Sequence, residues 1–190
     1  MRTTKAATRL LSGLLVLSVA TPALAGVVTG WQKAGTDPAG YDVGTETLAS
    51  GTAAYLQGLK PAEGGSGLLL QHFAADDYRG KRMRLTARLR CEDVSTMGAM
   101  WMRVDRAGKP LAFDNMMNRA FRGTAEWREC SIVLDVPEEA DTILFGMGLS
   151  GPGTLWMDDV SFQEVGSDVP VTDLMQRPAS AGPQNLDFRE

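Results

Sequence analysis

The 190-residue chain holds one histidine, His72, and two cysteines, Cys91 and Cys130. That scarcity removes most catalytic and metal chemistry at the outset. A His–Ser or His–Cys machine would have to be built on His72, and no G-x-S-x-G elbow accompanies it. His72 sits in "LLLQHF" at the spacing of Leu68 and Leu70, which predicts a half-buried, hydrogen-bonded histidine. Zinc-type Cys/His spacing is absent. Runs of Lys and Arg are absent too, and the formal net charge is −4. An acidic chain without a basic patch argues against nucleic acid or an anionic membrane surface as partner. Beyond the first 25 residues nothing is long and apolar enough to insert in a membrane. No long stretch sustains the 3.6-residue period of an amphipathic helix.

What is present begins with residues 1–25. Arg2, Lys5 and Arg9 precede the apolar "LLSGLLVLSVA", and "TPALA" places Ala23 and Ala25 at small-residue cleavage positions. This is the pattern of a secretory signal peptide, implying a periplasmic or extracellular protein. Its removal makes the net charge three units more negative than −4.

The body of the chain alternates with period two. In "RMRLTARLRC" (82–91), Met83, Leu85, Ala87, Leu89 and Cys91 share one face, and Arg82, Arg84, Arg88 and Arg90 share the other. In "ECSIVLDV" (129–136), Cys130, Ile132, Leu134 and Val136 align. Such alternation means half-buried strands with both cysteines pointing inward. In an exported protein that pair predicts a Cys91–Cys130 disulfide; two separate buried thiols are the alternative. "LLLQHF" (68–73), "GAMWMRV" (98–104), "DTILFGMGL" (141–149) and "TLWMDDVSF" (154–162) are also strand-like, with turn chemistry between them, and "DRAGKP" has the composition of a hairpin turn. The fold class this predicts is all-β, an antiparallel β-sandwich over residues 26–165. Residues 166–190, rich in Pro, Gly and Ser, form an expected extended tail.

"GMGLSG" (146–151) satisfies G-x-G-x-x-G, but Pro152 and a further strand follow where a dinucleotide site needs a helix. The glycines have another use. Ile143, Phe145, Met147 and Leu149 face one way, while Gly146 and Gly148 leave the other side bare, for a ligand, a neighbouring chain or a bend. The adjacent acids of Asp76-Asp77, Glu138-Glu139 and Asp158-Asp159 cannot flank one substrate from a strand. Asp158 shares phase with Trp156, Val160 and Phe162 and should point inward, satisfied by backbone amides or by a structural calcium ion. No other cofactor is implied.

The order "YRGKRMRLTARLR", "WMRVD", "FDNM", "EWRECSIVLDVPEEA" and "LWMDDVSF" resembles a β-sandwich module found beside helix-turn-helix regulators of the arabinose-regulator type, and in exported proteins with peptidase-like domains. It is also similar to the galactose-binding-type jelly rolls of carbohydrate-binding modules. The resemblance covers about residues 30–165 and implies a jelly roll whose concave face carries ligand. No helix-turn-helix segment or basic patch is present, so DNA binding is not implied. The segment "NLDF" (185–188) resembles the opening strand of many jelly rolls; its composition favours a disordered terminus, and the alternative is pairing with the sandwich edge near the chain start, in the same molecule or a neighbour.

Alternation puts Met100, Met102 and Val104 in the core and Trp101 and Arg103 on the outer surface. The stretch "FDNMMNR" (113–119) can bring Asp114, Asn115 and Arg119 to the rim of the same face, or use them in local turns and ion pairs. An aromatic face and nearby fork or amide groups suit a sugar ring. The expectation is a non-catalytic exported module binding a glycan, a small polar ligand or cell-envelope material. The alternative is a structural accessory domain that binds a protein partner.

Overall fold

The computed structural model describes residues 28–49 and 51–176. The expected signal peptide and the "NLDF" segment lie outside them. Nine strands follow in order: β1 (Gln32–Gly35), β2 (Tyr41–Leu48), β3 (Gly51–Gly58), β4 (Ser66–Ala74), β5 (Arg82–Arg106), β6 (Lys109–Asp114), β7 (Phe121–Asp135), β8 (Thr142–Ser150) and β9 (Gly153–Val165). Every pairing is antiparallel.

β5 is the spine of the molecule. Its first half pairs with β7 and β9, and its second half pairs with β8 and β6. Two layers result, β7-β5-β9-β3-β2 and β1-β4-β8-β5-β6, joined through one bent strand. The sequence reads as two separate strands here because the inward phase changes. Met83, Leu85, Ala87, Leu89 and Cys91 are buried on odd positions, and Met100, Met102 and Val104 on even ones. The switch falls where the register with β7 shifts and Asp93 takes φ 53°. An inserted residue reverses the side-chain phase and bends the strand. The "DRAGKP" hairpin turns on Ala107 and Gly108, with φ 49° and 72°, the positive pair that matches the strand twist.

The antiparallel β-sandwich is as expected; three details differ. Cys130 stands opposite Ala87 and Cys91 opposite Ala125. Four positions along a strand separate the cysteines by about 13 Å, beyond the roughly 7 Å that a disulfide can span. Both are free and buried. The second difference is Asp158. Asp159 takes φ 52° and the register with β5 shifts beside it, so Leu155 and Met157 point inward before this point and Phe162 after it. Asp158 is only half-buried, and its Oδ1 accepts from Asp159 N at 2.8 Å. Among the described residues no group of three or more His, Cys, Asp or Glu is placed to hold a metal ion. His72, third, is exposed, beside Gln32.

Residues 166–176 run along the sandwich flank. Thr172 N donates to Val133 O of β7, and Leu174 N donates to Phe113 O of β6, both at 2.8 Å. The segment thus satisfies edge backbone groups of both layers.

Candidate functional site

The outer face of the β4-β8-β5-β6 layer carries a cleft of about 280 Å³. Register alone places its floor. Ala99 of β5 and Leu68 of β4 both stand opposite Gly148 of β8, and Trp101 stands opposite Gly146. Arg103 stands opposite Phe113 of β6. With side chains alternating, Leu68, Gly148, Ala99, Trp101, Arg103 and Phe113 share this surface and line the cleft. Gly148 keeps the floor low: a Cβ there would lie 2.9 Å from Leu68 Cδ2 and 3.7 Å from Trp101 Cδ1.

Three of the five residues expected at a ligand surface line this cleft: Trp101, Arg103 and Asn115. Arg103 Nη2 holds Asp105 Oδ2 at 2.7 Å, and Asp105 is buried beneath it. Arg103 Nε and Asp105 Oδ1 lack partners. They are a donor and an acceptor of the same pair, so a small rotation would close a second bond between them. Trp101 Nε1 is likewise enclosed without a partner. Asn115 Oδ1 accepts from Met117 N at 3.1 Å, closing an Asx-turn. That bond fixes the amide orientation and leaves its Nδ2 donors for the cleft.

Asp114 and Arg119 depart from the expectation of a rim position. Asp114 is fully buried, with Oδ2 2.6 Å from Arg119 Nη2 and Oδ1 2.7 Å from Met116 N. Arg119 also donates to Ser131 O at 3.0 Å. The reason is parity. Asp114 stands opposite Met102, an inward position, so its carboxylate enters the core side and needs a cation there. The pair holds the turn that presents Asn115; it does not face the cleft. Ser66, Met97, Leu149 and Ser150 complete the lining, and the sequence marked none of them as a cleft residue. The bare face of β8 was the one available signal for the floor.

No protein-family model matches the chain. Over 167 residues it is 42% identical to the uncharacterized HTH-type transcriptional regulator YbfP of Bacillus subtilis (strain 168), a match covering 85% of this chain and 57% of that protein. The chain therefore spans little more than half the length of that curated relative. Among solved structures it is similar to the CBM22-1 xylan-binding domain of Paenibacillus barcinonensis Xyn10C, with TM-score 0.51 and 13% identity over 74% of this chain and 88% of that one. It is also similar to an apo cyclase from Fischerella sp., with TM-score 0.55 and 12% identity over 73% and 84% of the two chains. At such identities the likeness is one of fold: the protein is a β-sandwich of the jelly-roll class that carbohydrate-binding modules share.

Proposed function

We propose that the protein is a non-catalytic exported binding module that takes a glycan, another small polar ligand or cell-envelope material in the cleft over β8. The observation that carries this reading is the placement of Trp101 beside the bare glycines of β8, with Arg103 and Asn115 at its edge. An indole offers a flat surface to the apolar side of a sugar ring, and the polar groups fix its orientation. The fold of a xylan-binding domain supports it. So does the regulator relative, since a module carried by a regulator suits recognition more than turnover.

Other neighbours of this fold are cyclases, which makes the chemistry of the lining decisive. Among the described residues the cleft has one charged side chain, Arg103, and no carboxylate, histidine, cysteine or lysine. Arginine stays protonated, so no group is poised to exchange a proton near neutral pH.

The accessory-domain reading has its own support. Met117, Leu174 and Met175 are 61%, 36% and 49% exposed and border a second, apolar depression next to Phe113. Such a patch suits a protein partner.

Calorimetric titration with short oligosaccharides separates the two readings. Saturable binding that Trp101→Ala weakens about tenfold or more supports the glycan module. No binding across the panel, with self-association or a partner bound through the Met117–Met175 surface, favours the accessory domain.

A further inference from the structure

We infer that the cleft is built for an acidic sugar, one or two rings long, whose carboxylate is held by Arg103. This rests on the glycan-binding reading and narrows it to a ligand class.

Three features point the same way. The first is charge: the lining contains a guanidinium and no acid. The two carboxylates nearest in register are both spoken for beneath the surface, Asp105 by Arg103 and Asp114 by Arg119. The protein is acidic as a whole, but exposed charges act over only about 8–10 Å at physiological salt, and Arg103, although paired with Asp105 from below, is the one charged group that faces the cleft.

The second is hydrogen-bond polarity. Asp105 engages Arg103 through Nη2 and Nε is enclosed, which leaves the Nη1 donors for the cleft. Asn115 spends its acceptor oxygen on Met117 N and keeps its donors. Trp101 Nε1 is enclosed within the protein, so the indole presents its ring rather than its N–H. The two serines, Ser66 and Ser150, can do either. A rim dominated by donors pairs best with a ligand group that only accepts. A neutral sugar presents hydroxyls whose protons would be left over; a carboxylate presents none, and guanidinium binds it with charge assistance.

The third is size. At about 280 Å³ the cleft sits at the lower end of small-ligand sites. The apolar floor of Leu68, Ala99 and Trp101 beside Gly148 receives one ring face, with Arg103 reaching a substituent at its edge.

The test compares each uronic acid with its own neutral isostere. Mono- and disaccharides of glucuronic, galacturonic and mannuronic acid are titrated into the protein, alongside their methyl esters and the uncharged parent sugars. The expected result is that at least one acid binds roughly tenfold or more tighter than its methyl ester, with the preference shrinking as salt rises. Removing Arg103 alone would strand buried Asp105, so the variant is the neutral pair Arg103→Gln with Asp105→Asn. It should bring acid and ester to parity while retaining the sugar-ring contribution. Esters or parent sugars binding as well as the acids overturn the acidic-sugar inference and leave the glycan module standing. If no acid, ester or parent sugar binds, the glycan reading and this inference fall together.

Discussion

Arg119 Nη2 lies 2.6 Å from Asp114 Oδ2, and that carboxylate is fully enclosed. The arginine is about one-third exposed, so the pair bridges core and surface. It ties β6 to β7 through Ser131 O and closes the turn through Met116 N. Truncating one member of a buried pair is costly because the other loses its partner. Asp114→Ala should therefore lower stability by about 3 kcal/mol in urea unfolding. Its effect on ligand affinity should follow only from the displaced Asn115. A variant as stable as the parent would remove the structural role.

Burial pushes both the Cys91 and Cys130 thiols above their ordinary pKa, with nearby Arg128 pulling weakly the other way. Protonated, enclosed thiols are poor nucleophiles. Neither should react with a thiol reagent at pH 7.5 in the native state, and both should react once the protein is denatured without reductant. A Cys91–Cys130 disulfide in protein prepared without reductant would contradict the strand register.

Tyr41 OH donates to Gly65 O and accepts from Gly151 N, both at 2.9 Å, with the ring buried against Gly67. Tyr41→Phe leaves both backbone groups without this partner and should cost about 1–3 kcal/mol. Burial raises the Tyr41 pKa, and the Gly151 bond only partly offsets it. The folded state thus favours the neutral phenol. Its contribution is complete below the ordinary tyrosine pKa of about 10 and is lost as pH rises through the higher folded value. Alkaline unfolding should be less steep in Tyr41→Phe; an identical pH profile would show that other groups govern it.

Residues 166–176 make seven hydrogen bonds to the sandwich: Thr172 N and Oγ1 donate to Val133 O, Leu174 N donates to Phe113 O, Thr172 Oγ1 and Asp173 Oδ1 accept from the N–H groups of Val133 and Phe113, and Ser167 O and Val169 O accept from Arg82 Nη1. Ending the chain after Val165 should cost about 3–7 kcal/mol at roughly 0.5–1 kcal/mol per net bond. Ending it after Gln176 should cost far less. Equal melting temperatures for the two truncations would make the flank contact passive.

Strand identity was legible because period-two alternation reports directly on burial, as in Met83 through Cys91. Phase across a bulge was not. Asp93 and Asp159 look ordinary in the sequence, yet each takes a positive φ and reverses the faces that follow. The misplacement of Asp158 traces to that, because phase was carried through the bulge from Trp156 to Phe162. The cysteines share the inward face as expected, but their pairing depends on register, which alternation does not determine. Trp101 and Arg103 were legible as a surface pair, since they lie on one uninterrupted run. Asp114 and Asn115 are adjacent in sequence and separate at the strand end, one to the core and one to the cleft.

The two glycines of β8 look equivalent in the sequence and should behave oppositely on substitution. At Gly146 an added Cβ would run into the backbone carbonyl of Leu69, which cannot move without disturbing the β4–β8 ladder. At Gly148 the nearest atom is the flexible end of Leu68, and neither glycine takes a positive φ. Gly146→Ala should therefore destabilise the fold, by about 1–3 kcal/mol as an overpacking change. Gly148→Ala should be close to neutral or slightly stabilising, since a side chain reduces the entropy lost by a strand glycine. It would nevertheless raise the cleft floor between Leu68 and Trp101 and weaken ligand binding. Gly148→Val should weaken it further. Melting curves and titrations on the same preparations separate the effects. If Gly148→Ala binds as well as the parent, this glycine serves only the backbone and the ligand does not reach β8.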